Sequence, residues 1–273
     1  MRLIPIRFGI VVSAGLVFTA CAAESPSPAA ATPVAPPPRC ETVVWFADHE
    51  TGDLSQWHAG NGGGEFNSGA ATSTASLDFA HSGRYSAKAT IITPHVPETS
   101  GVRLFRWNES LAHLEACYSA WYYVPQRYVV PVWWNILSFK SRNGTAANDA
   151  FWELQIGNRP AGAMYLYLTW WGPPVEGPRR GESGLRHFPQ LLTDVPVGRW
   201  VHIEVYLRQS SGFDGQIIVQ QDNVELFNIN GVRTRYAAPN GANEWSVNNY
   251  SDVISPSPTT IYIDDAVIST PEI

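Results

Sequence analysis

The stretch VWWNILSFKS, residues 132–141, combines side chains that could bind a flat, polar ligand. Successive side chains of a β-strand point to opposite faces. One face would therefore carry an aromatic plate, a hydroxyl and a cation, from Trp134, Ser138 and Lys140. The opposite face is apolar and carries Trp133, Leu137 and Phe139. The spacing predicts a ligand-binding face through Trp134, with core packing of the tryptophans as the alternative.

Two further alternating runs extend this face. In FWELQIG, residues 151–157, the alternation exposes Glu153 and Gln155, and in AMYLYLTWW, residues 163–171, it exposes Tyr165 and Tyr167. Three successive strands thus offer aromatic rings beside hydrogen-bonding groups, a mixture typical of small-molecule sites. The predicted binding residues are Trp134, Ser138, Glu153, Gln155, Tyr165 and Tyr167. The alternative is that the two tyrosines only border the core under a loop.

The elements that must position these residues are short strands. ACYSAWYYV, RWVHIEVYLRQ, GQIIVQQD and TIYIDDAVI also alternate, and Gly, Pro, Asn and Ser separate the runs. No long apolar stripe has the helical period, and SLAHLEA is the one short helix candidate. We therefore predict an all-β fold, an antiparallel β-sandwich or barrel, forming one domain over residues 41–273.

Composition narrows the function classes. The 273 residues include 11 Trp, 11 Tyr and 11 Phe, which favour strands and aromatic binding surfaces. Their net charge is −6 without a Lys/Arg block, so nucleic acid is not an expected partner. The chain has no Gly-x-Ser-x-Gly elbow, zinc-ligand spacing or phosphate-binding glycine loop.

Three segments resemble the concanavalin-like jelly-roll group: DHETGDLSQW, VPVGRWVHIEVYLRQSSGFDGQIIVQQDNVELF and TIYIDDAVIS. Within it the chain looks most like polysaccharide lyases of the heparin-lyase and alginate-lyase type, over residues 42–270. The resemblance implies an antiparallel β-sandwich of the concanavalin-like jelly-roll type, whose concave sheet forms a groove for a polysaccharide. Sugar rings stack on aromatic side chains, while their hydroxyls need donors and acceptors.

The same resemblance implies a chemistry. Such lyases neutralise a uronate carboxylate, remove the C5 proton with Tyr or His, and protonate the leaving oxygen. Tyr250 in EWSVNNYSD stands at the tyrosine of the family's Lys-x-Gly-x-Tyr motif, and Lys140 replaces the histidine of Gln-Ile-His. GVRLFRW supplies Arg103 and Arg106 near the Arg-x-Glu-x-Arg position. The implied catalytic residues are Tyr250, Lys140 and Arg106.

Departures from these motifs leave a second function open. Ser246 and Asn248 replace Lys and Gly before Tyr250, and no Glu separates the two arginines. These changes favour a non-catalytic carbohydrate-binding module, whereas Tyr250 and Lys140 favour elimination. Hydrolysis is less favoured, because glucanases on this fold use paired carboxylates such as Glu-x-Asp-x-x-Glu, which the chain lacks.

The resemblance also implies structural calcium. Related jelly rolls hold calcium between the first strand and an acidic pair of the last strand. The matching residues are Glu50, Asp53, Asp264 and Asp265. Carboxylate oxygens are ligands that suit calcium. The alternative is turn and capping chemistry by Asp53 with a solvent-facing Asp264.

The N-terminal segment predicts export. MRLIPIRFGIVVSAGLVFTAC has two arginines, an apolar stretch too short to span a membrane, and small residues before Cys21. This resembles a bacterial lipoprotein signal: residues 1–20 would be removed, and Cys21 would carry lipid. Residues 21–40 would then form a Pro/Ala-rich tether. We expect lipid anchoring at the cell surface or in the periplasm; the alternative is ordinary signal-peptide cleavage.

The cysteine count agrees with export. The chain has three cysteines, and lipid on Cys21 leaves Cys40 and Cys117 to form a disulfide. Two buried free thiols are the alternative. The expected partners are a polysaccharide and, through the lipid alone, a membrane. We expect the protein to be a monomer.

Overall fold

The alternating runs of the sequence form the strands of two sheets. A computed structural model describes residues 38–93, 98–143, 147–171, 185–236 and 243–271. The first eight strands are β1 Cys40–Ala47, β2 Gly63–Ser68, β3 Ala70–Ser76, β4 Ser86–Ile92, β5 Ser100–Arg106, β6 Glu115–Tyr123, β7 Trp134–Asn143 and β8 Ala147–Asn158. The others are β9 Met164–Trp171, β10 Leu185–Pro189, β11 Trp200–Arg208, β12 Gly215–Gln221, β13 Val224–Val232, β14 Asn243–Ser251 and β15 Thr259–Pro271.

Helical structure in the described residues is limited to short turns. Helix α1 spans Ser55–His58 and continues into a 3-10 turn at Ala59–Asn61. Helix α2 spans Asn108–Ala112, overlapping the predicted SLAHLEA segment. None of the described helices is long and apolar enough to cross a membrane.

The strands pair antiparallel in two sheets. The seven-stranded sheet has the order β10-β9-β8-β7-β14-β5-β2. The eight-stranded sheet has the order β13-β12-β11-β6-β15-β4-β3, and β1 also pairs with β15. The predicted all-β antiparallel sandwich is therefore confirmed.

The core lies between the sheets because one face of each strand is apolar. Strand β11 is typical: Val201, Ile203 and Val205 are buried, while His202 and Glu204 between them are only partly covered. Burying such alternating side chains is the main favourable term in folding. The largest fully buried side chains include Trp57, Trp134, Trp152 and Trp245.

The predicted disulfide is present. Cys40 of β1 and Cys117 of β6 are bonded, with their Cα atoms 6.0 Å apart. Strand β15 pairs with both of these strands, so the bridge crosses over it. The two cysteines are therefore not free thiols. Cys21, the proposed signal and most of the tether lie outside the described residues.

Candidate functional site

A row of directly opposed residues runs across the outer face of the seven-stranded sheet. Tyr250 on β14 is opposite Asn135 on β7, and Asn135 is opposite Gln155 on β8. Gln155 is in turn opposite Tyr167 on β9. We call this side of the sheet the cavity face. Residues opposite one another on neighbouring strands lie close enough to interact directly, so the row can act as one site.

The cavity face holds an open cavity of about 810 Å³. Four predicted binding residues line it: Glu153, Gln155, Tyr165 and Tyr167. The other lining residues are Val130, Val132, Trp133, Gly157, Asn158, Trp171, Leu185, His187, Pro189 and Tyr250. This volume is in the range of ordinary small-molecule sites, about 300 to 1,000 Å³. The structure thus gathers residues from four strands, and from the segment before β7, around one space.

The prediction that Trp134 faces the ligand is wrong. Its side chain is fully buried in the core, and Nε1 donates a hydrogen bond of 2.9 Å to Oδ1 of Asn249. Strand β7 has an extra residue relative to β8, because Asn135 is opposite Gln155 but Leu137 is opposite Leu154. Such a bulge reverses which side chains face outward. On the N-terminal side of the bulge, Trp133 therefore faces the cavity in place of Trp134.

Ser138 lies on the C-terminal side of the bulge and keeps the predicted orientation. It is buried on the cavity face, with its hydroxyl 2.9 Å from that of Ser246. Asn248 donates to the hydroxyl of Ser138 at 3.0 Å and also donates to Oδ1 of Asn135. Ser138 therefore supports the floor of the site from below rather than lining the cavity.

A hydrogen-bonded network forms the floor at Glu153. Its Oε2 accepts from Nε1 of Trp171 at 2.7 Å and from Nε2 of Gln155 at 3.0 Å. The hydroxyl of Tyr167 donates to Oε1 of Gln155 at 2.6 Å. Glu153 and Gln155 are both buried, so these bonds hold their polar groups in place below the cavity.

Burial also raises the pKa values of two side chains in this network, Glu153 and Tyr167. Desolvation raises the pKa of Glu153, while the hydrogen bond from Trp171 and the charges of Arg103 and Lys140 oppose the rise. Burial likewise raises the pKa of Tyr167, and the nearby Tyr165 adds to the effect. Removing a charged group from water destabilises its ionised form, which explains both directions.

The surroundings of Tyr250 combine a cation with aromatic contacts. The guanidinium of Arg103 lies over its ring, 4.5 Å from the centroid. The ring of Trp133 meets it edge-on at 4.9 Å, and the phenol hydroxyl is 3.4 Å from the hydroxyl of Thr99. A Cβ at position 101 would overlap the Tyr250 ring, so Gly101 gives this ring room to lie over β5.

Lys140 lies beside a second, smaller pocket on the same sheet. The pocket has a volume of about 390 Å³. Its lining residues are Glu65, Phe66, Arg103, Phe105, Trp107, Lys140 and Glu244. Arg103 thus contributes both to this pocket and to the surroundings of Tyr250. Among the described residues that line these two pockets, Lys and Arg occur only in the smaller one, together with the carboxyl groups of Glu65 and Glu244.

The assignment of Arg106 as a catalytic residue is also wrong. Its side chain is buried on the core side of β5, where Nη2 lies 2.6 Å from Oε1 of Glu109. Its Nη1 donates to the carbonyl oxygens of Trp57 and Ala59 at 2.7 and 2.9 Å. Arg106 therefore fixes the turn after α1, whereas Arg103, three residues earlier, belongs to the cavity face.

The first two carboxylates predicted for calcium accept hydrogen bonds from the protein. Oε1 of Glu50 accepts from the backbone amides of Arg84 and Tyr85 at 2.7 and 2.8 Å. Oδ1 of Asp53 accepts from the backbone amide of Ser55 at 3.0 Å. This is the turn chemistry given as the alternative from the sequence.

The acidic pair on β15 is bound in a similar way. Asp264 is fully buried rather than solvent-facing, and its carboxylate contacts His49 at 3.3 Å and the backbone amide of His81 at 2.8 Å. Asp265 contacts Nδ1 of His81 at 2.6 Å and the hydroxyl of Ser82 at 2.8 Å. Within the described residues, no group of three or more His, Cys, Asp or Glu is arranged to hold a metal. The four carboxyl groups thus bind donors of the protein itself, and calcium binding here stays an untested prediction.

Some residues of the site were missed by the sequence reasoning. His187 on β10 lines the cavity, with Nδ1 3.0 Å from the hydroxyl of Thr169. The alternation of LRHFP, which puts His187 on one face with Leu185, could have found it. Trp171 could have been found by extending the alternation from Tyr167 along β9. Trp133 gave no such signal, because the bulge is not visible in the sequence.

Comparison with known proteins gives a likeness of fold. No protein-family model and no curated protein matches the chain significantly. Solved structures do match, and several of these neighbours are polysaccharide lyases. An endo-β-1,4-glucuronan lyase from the fungus Trichoderma reesei is 13% identical, with a TM-score of 0.62, over 84% of this chain and 96% of that one.

Two alginate lyases are similar to a comparable degree. One from Chlorella virus is 13% identical, with a TM-score of 0.58, over 84% of this chain and 99% of that one. The marine PL-14 alginate lyase from Aplysia kurodai is 12% identical, with a TM-score of 0.56, over 85% of this chain and 100% of that one. At such identities the likeness shows the jelly-roll sandwich alone, since one fold can carry unrelated functions.

Proposed function

We propose that the protein binds an acidic, uronate-containing polysaccharide on the cavity face and cleaves it by β-elimination at Tyr250. The observation that carries the proposal is the pairing of a phenol in an open cavity with the Arg103 guanidinium 4.5 Å from its ring centroid. The lyase neighbours share this fold, which supports the class of reaction as analogy.

The reaction needs a neutralised carboxylate and one proton-transferring group. The Tyr250 oxygen, acting as a phenolate, takes the C5 proton, and the electron pair of that C–H bond forms the C4–C5 double bond. The C4–O glycosidic bond breaks, and the departing oxygen takes a proton back from Tyr250 as a new hydroxyl. The products are a free chain end and an unsaturated uronate.

Arg103, rather than Arg106, is the arginine that would neutralise the uronate carboxylate. The Nε atom of Arg103 is buried without a hydrogen-bond partner among the described residues, and so is the Nδ2 atom of Asn135. Buried polar groups are rarely left in that state, and the guanidinium of Arg103 is a donor group that suits a substrate carboxylate. Lys140, which lines the neighbouring pocket with Arg103, would bind the acidic chain on the same side.

A carbohydrate-binding module without turnover is the second candidate. The described lining of the 810 Å³ cavity includes no Lys or Arg, while it does include aromatic rings and the carboxyl of Glu153. Such a lining suits sugar stacking without uronate chemistry. On this alternative Tyr250 would be one more aromatic contact.

We also propose that the domain is exported and held at a membrane by lipid on Cys21. The support is the sequence: a short apolar segment, small residues before Cys21 and a Pro/Ala-rich tether after it. The Cys40–Cys117 disulfide agrees with an oxidising compartment outside the cytoplasm.

The deciding experiment is incubation with a panel of uronate polysaccharides while the ultraviolet absorbance of unsaturated ends is followed. Tyr250→Phe removes the hydroxyl and keeps the ring, so we expect elimination to fall about 100- to 10,000-fold. Glycan affinity, measured by isothermal titration calorimetry, should change only by a small factor.

Tyr85→Phe is the matched control, since Tyr85 is a half-buried tyrosine just before β4 of the opposite sheet. It should leave both readouts unchanged. Full activity of Tyr250→Phe would show that the mechanism is wrong. Glycan binding by the wild type without any unsaturated product would favour the module.

A further inference from the structure

We infer that His187 binds a sugar carboxylate at the far end of the 810 Å³ cavity, and that it does so most strongly when its imidazole is protonated. The inference rests on the proposed function and names a further binding residue of the same site. It places the recognition of a second uronate at a distance from Tyr250. The affinity for an acidic polysaccharide would then rise as the pH falls.

His187 and Tyr250 lie at opposite ends of the cavity. Tyr250 is on β14 and His187 is on β10, and strands β7, β8 and β9 lie between them in the sheet. Neighbouring strands are about 4.8 Å apart, so four spacings separate the two backbones by about 19 Å along the sheet. His187 is therefore too far away to contact the sugar that reacts at Tyr250. It would contact another sugar of the same chain.

The imidazole of His187 is held with one nitrogen toward the sheet. Its Nδ1 is 3.0 Å from the hydroxyl of Thr169, the residue directly opposite on β9. The ring of Tyr167 meets it edge-on, with the two ring centroids 5.8 Å apart. Thr169 is fully buried, whereas His187 is exposed and lines the cavity. Because Thr169 occupies Nδ1, the nitrogen left for a ligand is Nε2.

The hydrogen bonds of Thr169 decide which nitrogen carries the hydrogen in the neutral ring. The Thr169 hydroxyl accepts from Nε2 of Gln155 at 3.2 Å. A hydroxyl also has one hydrogen of its own, and Thr169 can donate it to Nδ1 of His187. The neutral imidazole then carries its hydrogen on Nε2, where it can donate to a sugar oxygen. Protonation adds a hydrogen on Nδ1 and a positive charge, which strengthens the bond from Nε2 to a carboxylate.

Among the described residues that line this cavity, His187 is the one that can carry a positive charge. None of those lining residues is Lys or Arg. The neighbouring Arg186 lies on the other side of β10, with its guanidinium 5.5 Å from the ring centroid of the mostly buried Trp170. Histidine side chains commonly change charge between about pH 5 and 8. The charge at this end of the cavity therefore depends on pH.

Two ionisable groups of the neighbouring strands face His187. Tyr167 on β9 stays protonated in this pH range, because burial raises its pKa. Glu153 on β8 is joined to His187 through the side chains of Gln155 and Thr169, and burial raises the pKa of Glu153 as well. Uptake of a proton by Glu153 removes a negative charge that repels a uronate. Glu153 would thus act in the same direction as His187, so each residue needs its own variant.

The test measures affinity against pH for two ligands that differ in charge. Hexasaccharides of β-1,4-glucuronan carry a carboxylate on every sugar, and reduction of these groups gives uncharged cello-oligosaccharides of the same length. Both ligands are titrated calorimetrically into the Tyr250→Phe protein, which leaves them uncut. We expect the glucuronan ligand to bind about fivefold more tightly near pH 5.5 than near pH 8, because a cation attracts a carboxylate in contact with it. The uncharged ligand should show no such step.

Variants at position 187, made in the same Tyr250→Phe protein, fix the charge in either state. His187→Gln keeps an oxygen that can accept from the Thr169 hydroxyl but never carries a charge, so most of the pH step should disappear. His187→Lys is charged across the range, so it should bind the glucuronan ligand tightly at every pH. Glu153→Gln should keep most of the step. His202→Gln is the matched control, because His202 is a partly covered histidine on the opposite sheet, and it should keep the step too.

These measurements separate the inference from the proposed function. Affinity for the glucuronan ligand that does not change with pH, a full step in His187→Gln, or a step lost only in Glu153→Gln would overturn the inference. Absence of glucuronan binding at every pH would overturn it as well. Equal kcat/KM for elimination by His187→Gln and by the wild type near pH 5.5 would do so while leaving the lyase activity established. A pH step that requires His187, found without any unsaturated product, would support the inference and reject elimination.

Discussion

Two arginines on β5 show how the face of a strand decides what a side chain can do. Arg103 lies over Tyr250 on the cavity face, and Arg106 forms a buried ion pair with Glu109. The sequence contained this distinction, because Val102 and Leu104 alternate in phase with Arg106 and mark the buried face. Matching a family motif favoured the arginine that faces the core, and the strand period would have favoured the one on the cavity face.

Replacement by glutamine should have different effects at the two arginines, lowering stability at Arg106 and activity at Arg103. Arg106→Gln leaves Glu109 without its cation, so we expect the free energy of unfolding to fall by about 3 to 5 kcal/mol. Arg103→Gln should change stability little and should slow elimination by about 100-fold, because it removes charge that stabilises the developing negative charge. Urea unfolding and initial rates measure the two effects. A loss of activity confined to Arg106→Gln would contradict this assignment.

At the scale of elements, strand alternation predicted most of the cavity face. Glu153, Gln155, Tyr165 and Tyr167 lie on the predicted side, because β8 and β9 pair without interruption between Trp152 and Asn158. Strand alternation gave the wrong face for Trp134, because a single extra residue in β7 reverses the pattern there. Both Trp133 and Trp134 are compatible with either face in isolation, and only the pairing with β8 decides between them.

Trp133 and Trp134 are neighbours in sequence that face opposite sides of the sheet. Substituting each in turn therefore tests where the bulge in β7 lies. Trp134→Ala should lower the free energy of unfolding by about 3 to 5 kcal/mol, because it empties a core position. Trp133→Ala should leave stability nearly unchanged and weaken glycan binding by about tenfold, because its ring lines the cavity. Thermal unfolding and calorimetric titration distinguish the two. Weakened binding with Trp134→Ala at unchanged stability would mean that the bulge is misplaced.

The disulfide connects two elements that are not hydrogen-bonded neighbours. Because it links β1 to β6 across β15, it restricts the unfolded chain over a sequence separation of 77 residues. The Cys40→Ser/Cys117→Ser variant should lose about 2 to 4 kcal/mol of stability while keeping its fold. Thiol counting on the unreduced, unfolded wild type should find neither cysteine reactive. Two reactive thiols would refute the bridge.

At the scale of the whole molecule, the sandwich was predictable and the placement of its charged groups was not. The all-β class follows from alternation and turn residues, which are local properties of the sequence. The separation of charge between Arg103 and Glu153 depends on which strands lie side by side, and these residues are 50 positions apart in the chain. The relative position of two such residues becomes visible only after folding.

The last prediction concerns how the molecule is held in the cell. If Cys21 carries lipid, Cys21→Ser should move the protein from the membrane fraction to the soluble fraction, because each buried methylene of an acyl chain contributes about 0.8 kcal/mol to membrane binding. The Pro/Ala-rich segment after Cys21 would then act only as a spacer, so the released domain should keep its stability and its glycan binding. Cys40→Ser/Cys117→Ser is the control for loss of cysteine, and it should remain in the membrane fraction. Mass spectrometry of the mature N-terminus should find acylated Cys21 in the wild type. A Cys21→Ser protein that stays fully membrane-bound, or a wild-type N-terminus without lipid, would show that the domain is exported by ordinary cleavage or held by another contact.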